Sequence, residues 1–262
     1  MPELVATLGA ERGDALRAAT AILTTDTHAK EVVVEGSGFT VGGMVKGAGM
    51  IAPNMATMLA VLTTDALVSP GVLDAALRAA VGESFNELTI DGCTSTNDTV
   101  AILASGLGEA VDPATLIAAV TEACQNLAFQ LAEDAEGTTR VVRVKVNGAL
   151  SEADARRAAR AVAESNLVKT SMYGADPYWG RILSELGASG AGFDLERASV
   201  AYGPTVVFAN GCEVVHDRAA TAAYLGAPVV ELICDLGLGD GRGEVLSTDL
   251  GPGYIEENMR TS

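Results

Sequence analysis

The stretch PNMATML, residues 53–59, sets a threonine, Thr57, behind a small alanine, Ala56, at the start of an apolar run. A hydroxyl is a weak nucleophile until a base takes its proton. The only two histidines, His28 and His216, are far apart, and no G-x-S-x-G elbow is present, so a Ser-His-Asp triad has little support. Another route needs no histidine. Cutting the chain before a threonine frees an α-amine with a pKa of about 7.7–8.0, which is itself a base suited to neutral pH. Ala56 would let the backbone strain there without steric obstruction. One threonine does not establish this mechanism, and other groups of suitable type are present. Lys46 is a lone cation in the uncharged stretch from Phe39 to Thr64. It suits a substrate carboxylate, although composition alone makes it a surface lysine whose stem covers apolar neighbours. TTDT (Thr24–Thr27), TTDA (Thr63–Ala66) and DGCTSTNDT (Asp91–Thr99) are by themselves ordinary turn and cap chemistry. Asp134 and Glu136, in EDAEGTTR, form a carboxylate pair capable of acid–base work, though most such pairs are solvated loop ends.

These groups need elements to hold them. SPGVLDAALRAAVG predicts a helix with Ser69 as N-cap, Pro70 in its first turn and Gly82 as its stop. Asp112 and Pro113 repeat the device, and Ser151 with Asp154 opens a third helix. DPYWGRILSELG predicts a fourth, starting from Asp176 and Pro177 and closing at Gly187, with a core-facing stripe of Trp179, Ile182, Leu183 and Leu186. RVVRVKVNG alternates Val142, Val144 and Val146 with Arg143 and Lys145, a strand with one buried face. ASVAYG and TVVFANG read as a hairpin about Gly203-Pro204, and PVVELICDLG is apolar enough for a central strand. Strands come both in runs and between helices, so the fold class is mixed α/β. No Gly/Ser linker or solenoid repeat divides the chain; a softer seam lies near residues 147–151.

Composition bounds the function. With 262 residues, 48% hydrophobic and 19% charged, the chain builds a sizeable core, and 4% aromatics leave that core to Ala, Val, Leu and Ile. A formal charge of −17 repels phosphate backbones and anionic lipid, which argues against nucleic-acid and membrane-surface partners. No apolar run approaches the roughly 20 residues of a spanning helix, and the start lacks a signal-peptide pattern, so a soluble cytoplasmic protein is expected. The four cysteines, Cys93, Cys124, Cys212 and Cys234, form no C-x-x-C, so neither a metal site nor a disulfide framework is expected. VGGMVKGAG matches neither a P-loop nor a dinucleotide fingerprint; its glycines are expected at a tight turn or a close backbone approach.

KGAGMIAPNMATMLAVLTTDA resembles the self-cleavage segment of the ornithine acetyltransferase (glutamate N-acetyltransferase) family. TTDT, FNELTIDGCTSTNDT and LVKTSMYGADPYWGRIL follow in that family's order, and together they cover most of the chain. The resemblance implies that Thr57 is the nucleophile released by scission of Ala56–Thr57, with its amine as base. It implies a ping-pong reaction in which an acetyl group passes from N2-acetylornithine to the Thr57 oxygen, then to glutamate, yielding ornithine and N-acetylglutamate. No cofactor is implied, and the setting is arginine biosynthesis in the cytoplasm. Lys46, Thr24 (or its neighbour Thr25), Glu136 and, within YIEEN, Asn258 match substrate-contacting positions, so the resemblance reverses the surface reading of Lys46. The implied fold layers sheets between helices, with a smaller carboxy-terminal part. Residues 1–56 are expected to belong to the α chain, 57–148 to the nucleophile-bearing core and 149–262 to the smaller part of the β chain. The self-made α and β chains associate in the family and pair again into homo-oligomers.

Some features depart from the family's pattern. Its members carry a further segment, of roughly small-domain size, ahead of the point matching Met1. That segment holds a Thr-Gly pair resembling an oxyanion hole, whose loss is expected to cost about 100–1,000-fold in rate. Cys93 stands where many relatives have an acidic residue, and NMRTS is an atypical ending. Two alternatives therefore accompany the transferase reading: an amino-terminal-threonine amidase or peptidase using water as acceptor, and an inactive, uncleaved fragment. Acetyl-CoA as a second donor is left open.

Overall fold

The computed structural model describes residues 9–52 and 58–260 and divides the chain into two compact units. The first comprises Met1–Asn86 and Thr94–Asp134; the second comprises Glu87–Cys93 and Ala135–Ser262.

In the first unit, helix α1 (Arg12–Ala21) precedes strands β1 (Lys30–Glu35), β2 (Thr40–Lys46) and β3 (Leu59–Thr64), then α2 (Pro70–Gly82), β4 (Thr99–Ala104) and α3 (Pro113–Glu133). The sheet runs β1-β2-β3-β4, antiparallel except for the parallel β3–β4 pair. Both predicted caps form: Ser69 accepts from Val72 N–H, and Asp112 from Ala114 and Thr115 N–H. α3 packs on β1 and β2. The close approach expected of VGGMVKGAG occurs inside a strand, because a Cβ at Gly43 would lie 3.2 Å from Leu127 of α3 and 3.2 Å from Val32 of β1. The glycine lets an Ala-rich helix sit low on the sheet.

The second unit holds β5 (Val141–Ala149), α4 (Glu152–Glu164), α5 (Asn166–Tyr173), α6 (Gly180–Ala188), β6 (Ser199–Tyr202), β7 (Thr205–Ala209), β8 (Cys212–Glu213), α7 (Arg218–Leu225), β9 (Val229–Asp235), β10 (Gly241–Thr248) and α8 (Pro252–Arg260). Its sheet order is β10-β5-β9-β6-β7-β8. β9 is central, as its apolarity predicted, and β6–β7 is the expected hairpin. Val142, Val144 and Val146 point into a core shared with α4. On the opposite face of β5, Arg143 pairs with Glu244 and Lys145 with Glu231. Ser151 caps α4 by accepting from Asp154 N–H at 3.1 Å.

One helix start differs from its prediction. α6 begins at Gly180, not after Asp176. Ala175 takes a left-handed φ of 51°, and Asp176 spends its carboxylate on Arg181, 3.4 Å away, so DPYW forms a lead-in whose Trp179 carbonyl accepts the first helical N–H groups. The stripe itself stands: Ile182 and Leu186 are buried, with Trp179 and Leu183 packed against them. The class is mixed α/β, as expected. Among the described residues no helix is long and apolar enough to cross a membrane.

Candidate functional site

Two of the candidate residues meet in the first unit. Lys46 ends β2, and its Nζ donates to Thr24 Oγ1 at 3.4 Å. The β2–β3 register sets Lys46 opposite Leu59, two residues past Thr57 in the chain. Ala56 and Thr57 themselves lie outside the described residues. Met58, the next residue, is held on both sides of its backbone. Its N–H donates to Asp98 Oδ1 at 2.7 Å, and its carbonyl accepts from Thr99 N–H at 3.0 Å. The ends of three strands, β2, β3 and β4, thereby meet around Met58 and Leu59.

The Thr24 turn is anchored from below by buried charge. Asp26 accepts from Thr24 N–H at 3.2 Å, from Gly47 N–H at 2.6 Å and from Lys30 Nζ at 2.7 Å. Its side chain is fully enclosed, as is that of Lys30, which also pairs with buried Asp134. Burial pushes the Asp26 carboxyl up, but the Gly47 N–H and the Lys30 ammonium outweigh it, and the group titrates below the usual carboxylate range. One carboxylate therefore grips both the loop carrying Thr24 and the residue after Lys46. Asp134 also accepts from Thr27 N–H at 3.0 Å, so this half of the EDAEGTTR pair is a structural anchor and not a solvated loop end.

Glu136 and Asn258 meet in the second unit. Asn258 Nδ2 donates to Glu136 Oε2 at 3.1 Å and to Tyr254 O at 2.9 Å. Gly137 makes this contact possible: its φ is +66°, and a Cβ there would fall 2.0 Å from Tyr254 N. Beyond it, the buried carboxylate of Asp249 accepts from Thr138 Oγ1 at 2.9 Å and from Thr139 N–H at 2.8 Å, fixing the strand that leaves Glu136. Tyr254 donates its hydroxyl to Asp91 at 3.2 Å. Burial and the Asp91 charge push that phenol up to about 12, so it stays a donor at neutral pH. A pocket of ≈580 Å³ opens here, lined among others by Asp91, Lys169, Tyr173, Leu250, Tyr254 and Ile255. Cys93, exposed, donates its N–H to Asp91 Oδ1 at 3.1 Å in a local turn.

The structure thus brings the candidates together as two pairs, Thr24 with Lys46 and Glu136 with Asn258. It adds Asp26, Lys30, Asp98 and Asp249, which sequence reasoning passed over because each sits in a stretch that reads as turn or strand end. The signal available was thin: an Asp four residues before a Lys at a strand start, and an Asp just before β4. Among the described residues no cluster of three or more His, Cys, Asp or Glu is placed to hold a metal ion.

Comparison with known proteins agrees with these motifs. The sequence model of the ArgJ family matches residues 1–261. The arginine biosynthesis bifunctional protein ArgJ of Mycolicibacterium paratuberculosis is 50% identical over 247 residues, covering 94% of this chain and 60% of the relative. The protein of that name from Thermobifida fusca is 45% identical over 268 residues, covering 100% of this chain and 69% of the relative. The crystal structure of arginine biosynthesis bifunctional protein ArgJ from Bacillus halodurans superposes with a TM-score of 0.72 at 38% identity, covering 76% of this chain and 96% of that one. The chain therefore spans about 60% of the mycobacterial relative's length. On the family match and these identities together, the chain belongs to the ArgJ family.

Proposed function

We propose that this chain carries the acetyl-transfer chemistry of its arginine-biosynthesis relatives, moving an acetyl group from N2-acetylornithine to glutamate through an ester on Thr57. The observation that supports the reading is the pairing of strand ends at Leu59, two residues after Thr57 in the sequence: Lys46 stands opposite Leu59, with Thr24 against its amine. A cation and a hydroxyl there suit a substrate carboxylate. Scission between Ala56 and Thr57 leaves an α-amine that takes the hydroxyl proton as Thr57 attacks the acetyl carbonyl and returns it to the leaving amine. Glutamate then attacks the ester in the reverse sense. Glu136, with Asn258 on its carboxylate, suits the ammonium end of an amino-acid substrate. In this reading residues 1–56 belong to the α chain and 57–262 to the β chain, with a core up to residue 148 and a smaller part beyond. The two associate and assemble further with copies of themselves.

The test is the intact mass of the purified protein and of a Thr57→Ala variant, followed by incubation with N2-acetylornithine and glutamate. The expected result is a wild type split before Thr57 that forms N-acetylglutamate, and a variant that stays whole and inert. A wild type that stays whole defeats the reading. Acetate release without transfer to glutamate replaces it with an amidase.

A further inference from the structure

The ≈580 Å³ pocket of the second unit stands on a firm frame. Leu250 N–H donates to the Lys169 carbonyl at 3.2 Å, and Tyr254 N–H to the Gly251 carbonyl at 3.2 Å, so α5, the end of β10 and the start of α8 hold one another. Gly251 lets the Tyr173 ring lie against the chain, since a Cβ there would fall 2.4 Å from that ring. A preformed cavity of this size, with mostly apolar walls and a few polar groups, suits a small molecule. We infer that the pocket binds an organic cation, an ammonium or guanidinium group carried on a short apolar stem.

The class of ligand follows from the lining. Asp91 and Lys169 are its only charged residues, and they are not equivalent. Lys169 is 3% exposed, and its amine spends its three protons on Thr248 O, Thr248 Oγ1 and Ser247 Oγ. It has none left for a ligand carboxylate or phosphate. Asp91 is half-buried, with Oδ1 accepting from Cys93 N–H and Oδ2 from the Tyr254 hydroxyl. An ionised carboxylate accepts at about four lone pairs, so these bonds orient it without exhausting it. An anionic ligand would meet the Asp91 charge with no uncommitted cation among the lining residues to offset it. A cation gains a charge-assisted bond there, and the rings of Tyr173 and Tyr254 add their negative faces. Leu250 and Ile255 are left to cover an apolar stem. The formal charge of −17 favours the encounter. Occupancy requires neither Thr57 nor scission, so a chain that stays whole tests it equally.

The probe is n-pentylammonium chloride, titrated calorimetrically at constant ionic strength beside its neutral and anionic counterparts, n-pentanol and sodium pentanoate. One site with a Kd of about 1 mM is expected for the ammonium, a reasonable affinity for six non-hydrogen atoms. Both counterparts are expected to bind at least about 10-fold more weakly. Asp91→Asn, which keeps an oxygen to accept a hydrogen bond but loses the charge, is expected to weaken the ammonium by about 10-fold or more. Asp74→Asn, at an exposed carboxylate on α2, is expected to leave it unchanged and so controls for attraction to net charge alone. Amide shifts of the wild type provide a location that does not depend on any variant folding: with n-pentylammonium they are expected to move at Thr170, Gly251, Tyr254 and Ile255. Shifts gathered elsewhere, pentanol binding as tightly as the ammonium, or an Asp91→Asn protein of wild-type affinity each overturn the inference. So does the lack of saturation by about ten times the expected Kd.

Discussion

Lys30 places its ammonium where no water reaches it, between the enclosed carboxylates of Asp26 and Asp134. Such a cluster is weak evidence for stability, since desolvating the charges offsets most of their attraction. Its effect is geometric: Asp26 can bind Thr24 N–H and Gly47 N–H at once only while Lys30 balances it. Removing the cation is expected to be severe. Lys30→Met leaves two carboxylates buried side by side, and urea denaturation should show a loss of about 3–5 kcal/mol. A loss below about 1 kcal/mol would mean that water already solvates the cluster. This anchoring was not legible in the sequence. TTDT displays two hydroxyls and a carboxylate that any turn could use, and nothing local announces that Asp134, more than a hundred residues on, completes the cluster. Lys46, Thr24, Glu136 and Asn258 were named by resemblance; their spacing alone did not distinguish them from surface residues.

At the scale of elements, the helices that announced themselves did so through physics local to their first turns. Ser69, Asp112 and Ser151 cap because a short side-chain oxygen next to the first turn has unpaired N–H groups to accept from. Asp176 has the same chemistry but a better partner in Arg181, and a left-handed Ala175 redirects the chain, so a local signal lost to a tertiary one. Lys169 is another tertiary product. It lies in α5, buried, with its amine donating to Thr248 O at 2.6 Å, Thr248 Oγ1 at 3.0 Å and Ser247 Oγ at 3.2 Å, which ties the helix to the end of β10. Burial pulls its pKa down to about 8, against the opposing charges of Asp249, Asp91 and Glu164. Between about 8 and the ordinary lysine value, the unfolded chain binds this proton and the folded chain does not. Stability attributable to Lys169 therefore rises with pH through that window, by up to about 1.4 kcal/mol per unit. Urea midpoints of wild type and Lys169→Met, compared from pH 7 to 9, should diverge above pH 8 in favour of wild type. A constant difference would show that Lys169 keeps its proton in the fold.

Across the whole molecule, 4% aromatics forced an aliphatic core, and the structure meets that constraint with alanine-rich helices laid on valine-rich sheets. Small side chains let helix and strand approach closely, which is why Gly43 faces Leu127 and why Ala155, Ala158 and Ala159 line the buried face of α4. Two of the four cysteines join this packing, one in each unit: Cys124 in α3 and Cys234 in β9 are fully enclosed, and burial pushes both thiols up to about 12. Cys93 and Cys212 are exposed. The sequence pointed to reduced thiols without separating the pairs, because burial depends on which strand and helix faces turn inward. Alkylation proceeds through the thiolate, so enclosure and a raised pKa act together against it. Iodoacetamide at pH 8 is expected to add to Cys93 and Cys212 in the native protein and to all four cysteines in denaturant, as read by intact mass and peptide mapping. Rapid native modification of Cys124 would mean that α3 lifts from the sheet without global unfolding; modification of Cys234 would place that opening at β9. Adducts confined to the exposed pair, appearing at the inner pair only at the urea concentration where the fold melts, would tie access to both cores to loss of the fold itself.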